Sequence, residues 1–593
     1  MVGQCFLCFL QLLLIYAVKE DAKIAMVDDK RVSENKLASR RDFLIAAGAL
    51  ISADALSVPA AAINPKTQTA PAQTKRPTKS SATEPWLPEK WDHEADVAVV
   101  GYGGAGACAA ITASDAGAKV IIMEKAPYRG GGNTGICMGI CVCPTNVQHA
   151  VEYLKAASED YTPLDAMIAW AEEACKNRAF YDGLGIKYTE YKSYAGYPTL
   201  PYYSSMPIIQ MAGMGAGLFT ELDKRVRNRN IQILFGTPGK ELIQNPITKE
   251  ILGVYGQEIS GTWGKEKKGR IVAVKARRGV VLTTGGFEHN EEMKRQFHKA
   301  YPTAFYGWRY NTGDGVKMAQ SVGADLWHMD LMCGGSNALF RDIDPHYNFQ
   351  IQLSPKTDHY LYVDNLGRRF MNEKSPLATN PHTGYWQFVA WDEAAVAYTH
   401  TPYWVIFDSV SFKAGPLGPR KGMPGLRGLN VLPLDLGGYA GWSSDNVEEL
   451  NKGWIRCGST IEELAANIKK NEFGKRINAD NLTRSVERYN ELCAKRNDDD
   501  FGRPVSRMLP VNAPPYYAFA KVPGGVCTHG GPRRSAKAEV LNPEFIPIPR
   551  LFAAGELGSI YGRTYSVTGG NLGEATAFGR IAGRNAAEMK PWC

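Results

Sequence analysis

From residue 95 onward, short apolar runs recur at strand length. Ala95-Asp-Val-Ala-Val-Val100 is one, and Ala118-Lys-Val-Ile-Ile-Met-Glu124 is the next. Both are apolar at nearly every position rather than at every second one, the pattern of strands buried on two faces of a parallel sheet. Between them, Gly101-Tyr-Gly-Gly-Ala-Gly106 and an alanine-rich stretch predict a tight turn feeding a helix. Helical spacing is expected over 151–177 and 218–229, with a strand over 231–235. A small hairpin layer is expected from 251–254 and 271–276. The tyrosine-, proline- and glycine-rich stretch 188–203 reads as loop. Residues 279–287 predict a buried strand ending in a turn, and Asn311-Thr-Gly-Asp-Gly315 opens a helix. After His328 the composition changes to short strands, loops and two amphipathic helices, 461–470 and 482–496. Alternation returns at Tyr517. The fold class is therefore α/β, with a domain inserted into a split nucleotide-binding domain.

The glycines of the first unit fit G-x-G-x-x-G. That motif is weak alone and specific when two apolar strands frame it and an acidic residue follows at the right distance. Gly101 permits the tight turn, Gly103 lets backbone approach a pyrophosphate, and Gly106 allows close helix–strand packing. Gly104 and Ala105 lie at the start of the helix, whose free N–H groups and positive dipole end suit phosphate. Glu124 is placed to accept from ribose hydroxyls, with Lys125 beside it.

Composition narrows the class. A chain of 593 residues with 44% hydrophobic and 22% charged content is a globular protein of two or more domains. Its formal charge of +8 is too mild to argue for a nucleic-acid partner. No apolar run reaches the length that spans a bilayer. Near the start, Ser39-Arg40-Arg41-Asp42-Phe43-Leu44 precedes an apolar stretch and Ala60-Ala61-Ala62. Twin arginines, a short apolar region and an alanine site predict a twin-arginine export signal over 1–62, hence passage across the cytoplasmic membrane to the periplasm or cell surface. Translation is expected to begin at Met26, with 1–25 as upstream sequence. Residues 63–91, rich in Pro, Ala, Thr and Lys, read as a flexible linker.

The twelve cysteines make no disulfide framework in a chain this long. Cys137, Cys141 and Cys143 lie in a glycine-rich stretch without a partner pair at zinc spacing, so no metal site is expected from sequence. No C-x-x-C-H occurs, so the chain carries no c-type haem of its own, and electrons must come from a separate donor or acceptor such as a cytochrome.

Further blocks follow in order: Val281-Leu-Thr-Thr-Gly-Gly-Phe287, Thr312-Gly-Asp-Gly315, Arg369-Phe-Met-Asn-Glu373, Thr528-His-Gly-Gly531, Ala554-Gly-Glu556 and Gly569-Gly-Asn571. With them the chain resembles the flavoprotein subunits of the fumarate reductase and succinate dehydrogenase family, and their relatives the urocanate reductases and 3-ketosteroid dehydrogenases. The resemblance implies FAD, and hydride transfer between flavin N5 and a carbon–carbon bond conjugated to a carbonyl. It implies a Rossmann-type FAD-binding domain split into 92–327 and 506–593, around an α+β capping (substrate) domain at 328–505. It places Gly131, Gly132, Asn133 and Thr134 along the pyrophosphate and ribityl chain. It places Thr284, Gly285 and Gly286 at a close backbone approach, with Asp314 in the neighbouring block. Gly555 and Glu556 fall near a ribityl hydroxyl. Gly570, Asn571 and Leu572 open a last helix facing the flavin pyrimidine.

At the substrate end the chain departs from fumarate reductases. Leu377 stands where they carry an arginine proton donor, Val567 where they bind substrate with arginine, and Cys527 where they have histidine. A dicarboxylate without cationic clamps leaves charge unpaired, which argues against fumarate itself. Arg563-Thr-Tyr565 stands where ketosteroid dehydrogenases carry H-T-Y, so Tyr565 is the expected electrophilic hydroxyl, with Arg563 and His529 as further catalytic candidates. Arg533 and Arg534 could also bind a carboxylate, and Lys374 or His382 could supply the missing acid. The tyrosines of 188–203 could line a polycyclic pocket. The expected substrate is a small enoate or a steroid-like ketone. The alternatives are a 3-ketosteroid dehydrogenase and a non-catalytic flavin carrier or ligand-binding protein.

Overall fold

The computed structural model describes residues 86–592 except 160, 192–195, 262–263, 341–348, 352, 376–383 and 419–440. The expected export signal, linker residues 63–85, Leu377 and His382 lie outside the described residues. Five parallel strands form the core of the first sheet, in the order Gln232–Leu234, Val120–Met123, His93–Val100, Lys267–Leu282 and Pro547–Ala553. Glu539–Leu541 closes one edge antiparallel. The apolar runs are continuous because both faces are covered: Val97, Ala98, Val99 and Val100 are all buried. Two helices, Gly104–Asp115 and Gly570–Glu588, pack against each other. The alanines and glycines of both sequences keep their backbones close.

The hairpin expectation is met and extended. Ile251–Ser260 pairs with the first half of Lys267–Leu282, whose second half continues into the parallel sheet. The expected strand 271–276 and the start of 279–287 are thus one strand with three partners. The helical spacing over 151–177 resolves into Val147–Ser158 and Leu164–Ala174, separated at Glu159 (φ +48°) and Pro163. The stretch expected to be loop starts instead with a strand, Tyr188–Tyr191, on Ile208–Met211. Its neighbouring glycine and prolines hid the strand preference of its tyrosines.

A second sheet runs antiparallel through Met332–Phe340, Tyr516–Thr528, Tyr403–Asp408 and Tyr360–Val363. One face buries an aromatic cluster with Phe340, Tyr403, Trp442, Trp454 and Phe519. The other packs Leu361, Trp404 and Ile406 on the helices Ile461–Ile468 and Ala479–Lys495. The expected boundary at 505 falls ahead of Tyr516–Thr528, which lies in this second sheet. That strand ends at Thr528, whose Oγ1 accepts from Phe287 N (2.8 Å) at the rim of the first sheet. One strand therefore ties the two sheets together. Among the described residues no helix is long and apolar enough to cross a membrane.

Candidate active site

A cavity of about 900 Å³ lies where the first sheet's strands end and the two sheets approach. Its dinucleotide end follows from the first motif. Gly101 sits at φ +105°, and a Cβ there would fall 2.4 Å from Thr283 O, so only glycine makes this turn. At Gly103 the φ is ordinary, and a Cβ would find nothing nearer than Gly131 O at 3.7 Å. Protein does not fill that space; it belongs to the cavity, as a pyrophosphate approach requires. Gly104 and Ala105 line it as well, at the helix N-terminus. Gly104 N donates to Thr134 Oγ1 (3.1 Å).

Glu124 ends the second strand and is buried. Its carboxylate accepts from Tyr102 N (2.8 Å) and Ala126 N (2.7 Å). A carboxylate has further lone pairs for a ribose diol. Burial pushes it up to about 7, against those N–H groups. Lys125 reaches Asp314 (2.7 Å) and Thr312 Oγ1 (2.5 Å), locking the Asn311–Gly315 turn onto the first unit. Both Lys125 and Asp314 line the cavity.

The middle of the cavity is polar. Asn133 Nδ2 donates to Glu288 (2.9 Å) and Glu556 (2.7 Å), and Asn133 Oδ1 accepts from Trp308 N (2.5 Å). Burial raises both carboxyls, and the neighbouring charge of Glu288 raises Glu556 further. Two carboxylates so placed hold one proton between them more readily than none. Asn571 Nδ2 reaches Glu556 (3.3 Å) and Cys527 Sγ (2.8 Å). Thr284 Oγ1 and Asn571 Oδ1 are buried with no protein partner. Both residues line the cavity, as do Gly132, Gly285, Gly555 and Leu572. Atoms so placed are open to hydrogen bonds from a ligand in the cavity. With the open space at Gly103, they fit FAD. Gly106, Gly131, Gly286 and Gly570 stand behind this wall and shape it rather than face it. Gly131, for one, donates to Tyr102 O (2.7 Å) and bridges to Gly103.

At the far end Tyr565 lines the cavity and is buried. Its hydroxyl accepts from Asn571 N (3.3 Å), at the start of the final helix. Burial holds the phenol far above its usual range, so it stays protonated, and the helix N–H and dipole polarise it as a donor. The loop carrying it is braced by Tyr153, which donates to Ser566 O (2.6 Å), and by a bridge between Gly196 and Val567. Tyr197, also on the cavity wall, bonds Thr564 Oγ1 (2.8 Å). Among the described residues of the tyrosine-rich run, Tyr197 is the tyrosine that the structure brings to the cavity.

The other sequence candidates fall elsewhere. Arg563 is partly exposed, donates to Tyr161 (3.0 Å) and pairs with Glu159 (3.3 Å), and does not line the cavity. His529 is fully buried against Tyr561 and Tyr565, behind the wall. Arg534 is consumed by Glu574, Arg533 pairs with Asp325, and Lys374 with Asp358. Sequence reasoning missed Glu288 and Cys333. Glu288 directly follows the Gly-Gly-Phe block, but Cys333 carried no local signal, since its partners come from another strand.

The FAD binding domain family matches residues 96–572, and the chain belongs to it. It is similar to a digoxin reductase of Eggerthella lenta, at 26% identity over 93% of this chain and 97% of that protein. It is similar to a 3-oxosteroid 1-dehydrogenase of Mycolicibacterium smegmatis, at 26% identity over 83% of this chain and 97% of that one. Among solved structures, a 3-ketosteroid Δ1-dehydrogenase of Sterolibacterium denitrificans in complex with 1,4-androstadiene-3,17-dione has the same fold. The TM-score is 0.66, with 22% identity over 84% of this chain and 99% of that one. The expected family, fold class and cofactor are thereby established. The protein is an FAD-dependent oxidoreductase of a family acting on carbon–carbon bonds.

Proposed function

We propose that this member of the FAD-binding family reduces a carbon–carbon double bond conjugated to a carbonyl, in a substrate that carries no pair of carboxylates. FAD, when bound, supplies a hydride at N5. The observation that carries the reading is the chemistry of the cavity wall. Among the described residues lining it, the one cationic side chain is Lys125, already paired with Asp314. The substrate end offers Tyr197, Tyr306, Met138, Val526, Cys333 and Tyr565 instead. A dicarboxylate desolvated there would lack counter-charge, whereas a neutral enone would bury apolar surface.

Tyr565 binds the carbonyl oxygen and stabilises the enolate that forms as the β carbon gains hydride, and a proton from solvent or an acid then completes the α carbon. Its protonated phenol, polarised by Asn571 N–H, suits that role. Tyr153 and the Gly196–Val567 bridge fix the loop against the wall and so orient the hydroxyl. The named relatives, a digoxin reductase and a 3-oxosteroid dehydrogenase, support a bulky, uncharged substrate. The 3-ketosteroid dehydrogenase direction is the second reading, favoured by the same tyrosine. The enzyme works outside the cytoplasmic membrane in anaerobic respiration, exported by the twin-arginine machinery and supplied with electrons by a cytochrome or quinol-linked protein. The Arg40-Arg41 leader and the lack of a haem motif support this. Reoxidation of the reduced holoprotein by enones, and not by fumarate, tests the chemistry; N-terminal mapping and cell fractionation test the export.

A further inference from the structure

Cys333 and Cys527 face each other directly across the antiparallel strands Met332–Phe340 and Tyr516–Thr528. The register slips after Cys333, and His529 follows one residue beyond the second strand, with its backbone N–H donating to Leu331 O (3.0 Å). These local features turn three soft donors toward one point. The two sulfurs and an imidazole nitrogen lie within 4.8 Å of one another, and all three residues are buried. Among the described residues no other group of His, Cys, Asp and Glu converges in this way.

The histidine is the second observation. His529 has no solvent exposure, yet neither ring nitrogen has a hydrogen-bond partner. A buried imidazole left so costs on the order of 1–3 kcal/mol per unmet group, and native structures pair nearly all such atoms. Its surroundings are the rings of Tyr561 (5.9 Å) and Tyr565 (5.5 Å) and the two thiols. A metal ion would satisfy one nitrogen.

We propose that Cys333, Cys527 and His529 bind one Zn2+ ion. Two thiolates and a neutral imidazole suit zinc in ligand type, and the assembly carries no net charge, as a buried site requires. Binding releases the two thiol protons to solvent, with no oxidation or reduction. Asn571 Nδ2, 2.8 Å from Cys527 Sγ, is the outer partner that orients a thiolate. Cys333 also lines the large cavity, which gives the ion a way in and leaves a fourth position for water or a ligand from the cavity side. The site shares Cys333 with the substrate end of the cavity, but zinc per chain is read whichever substrate the enzyme reduces.

The test uses holoprotein purified under reducing conditions, incubated with one equivalent of Zn2+ and dialysed against metal-free buffer. Mass spectrometry measures zinc per chain, and peptide mapping measures alkylation of each cysteine. The expected result is about one zinc per chain, with Cys333 and Cys527 protected from alkylation at least tenfold relative to metal-free protein. Cys527→Ser, Cys333→Ser and His529→Gln should each lose at least 90% of the zinc while keeping FAD absorbance, and Cys493→Ser should retain it. Wild-type protein that keeps less than 0.2 zinc per chain with both thiols reduced would overturn the proposal. So would retention of zinc by the Cys527 and Cys333 variants, or a Cys333–Cys527 disulfide that, once reduced, still takes up no zinc.

Discussion

At the residue scale, neighbouring positions of similar chemistry have different tasks. Tyr561 and Tyr565 pack edge to face at 5.4 Å, but only Tyr565 lines the cavity. Tyr565→Phe should therefore lower kcat by about 10²-fold, the scale for losing one oxyanion donor, with FAD content unchanged by absorbance. Gly101 and Gly103 differ as sharply. Gly103→Ala adds a methyl group that meets no protein atom closer than 3.7 Å but intrudes on ligand space. It should weaken FAD binding at least tenfold in a flavin-fluorescence titration, and shift apoprotein unfolding by no more than about 1 kcal/mol. His298 gives one part of the pH dependence, beside His289 and His328, which burial also holds down. His298 is buried, with Nδ1 near Thr303 Oγ1 (3.0 Å), and burial holds it down at about 3 against 6.5 for an exposed histidine. Between those values the unfolded chain binds a proton that the folded chain refuses, so stability falls as pH drops through 6.5 towards 3. The slope from this one group approaches about 1.4 kcal/mol per pH unit below 6. Denaturant titrations at pH 7, 6 and 5 should show a shallower decline in His298→Gln than in the parent.

At the scale of elements, the block Arg369-Phe-Met-Asn-Glu373 changes meaning. Its sequence order pointed to a substrate loop, but in the structure Arg369 is a strut. It forks onto Glu373 (2.8 Å) and Asp498 (2.8 Å), while Arg503 reaches Glu373 from the other side (3.2 Å). Arg369→Met leaves buried carboxylates short of counter-charge and should cost about 3–5 kcal/mol, read by denaturant unfolding. The dinucleotide turn was legible because its signal is local: two apolar runs, three glycines and Glu124 lie within one short segment. The Lys267–Leu282 strand was split in reading because Arg277 and Arg278 interrupt its apolar run, yet Arg277 pairs with Asp96 (2.8 Å) and the strand continues. Cys333 was illegible for the opposite reason. Its partner Cys527 is distant in sequence, and only pairing of the strands brings the two together.

At the scale of the whole molecule, one strand of the second sheet reaches the rim of the first, and the FAD-binding cavity lies where the two sheets approach. Tyr516–Thr528 runs through the second sheet, ends in the Thr528-His-Gly-Gly531 block, and carries Val526 onto the cavity wall. The charge lining the cavity was partly legible, since the losses at Val567 and Cys527 could be read from the motif spacing. That no unpaired cation replaces them on the described wall needed the structure. The central claim, reduction of an uncharged conjugated carbonyl compound, is tested most directly without oxygen. Holoprotein reduced by one equivalent of dithionite is mixed with 3-keto-4-ene and 1,4-diene steroids, arylacrylates, monocarboxylic enoates and fumarate, and flavin absorbance is followed by stopped flow. Fast, saturable reoxidation by at least one neutral enone, with fumarate no faster than buffer, is the expected result. Prompt reoxidation by fumarate, or reoxidation by none of the compounds, would contradict it.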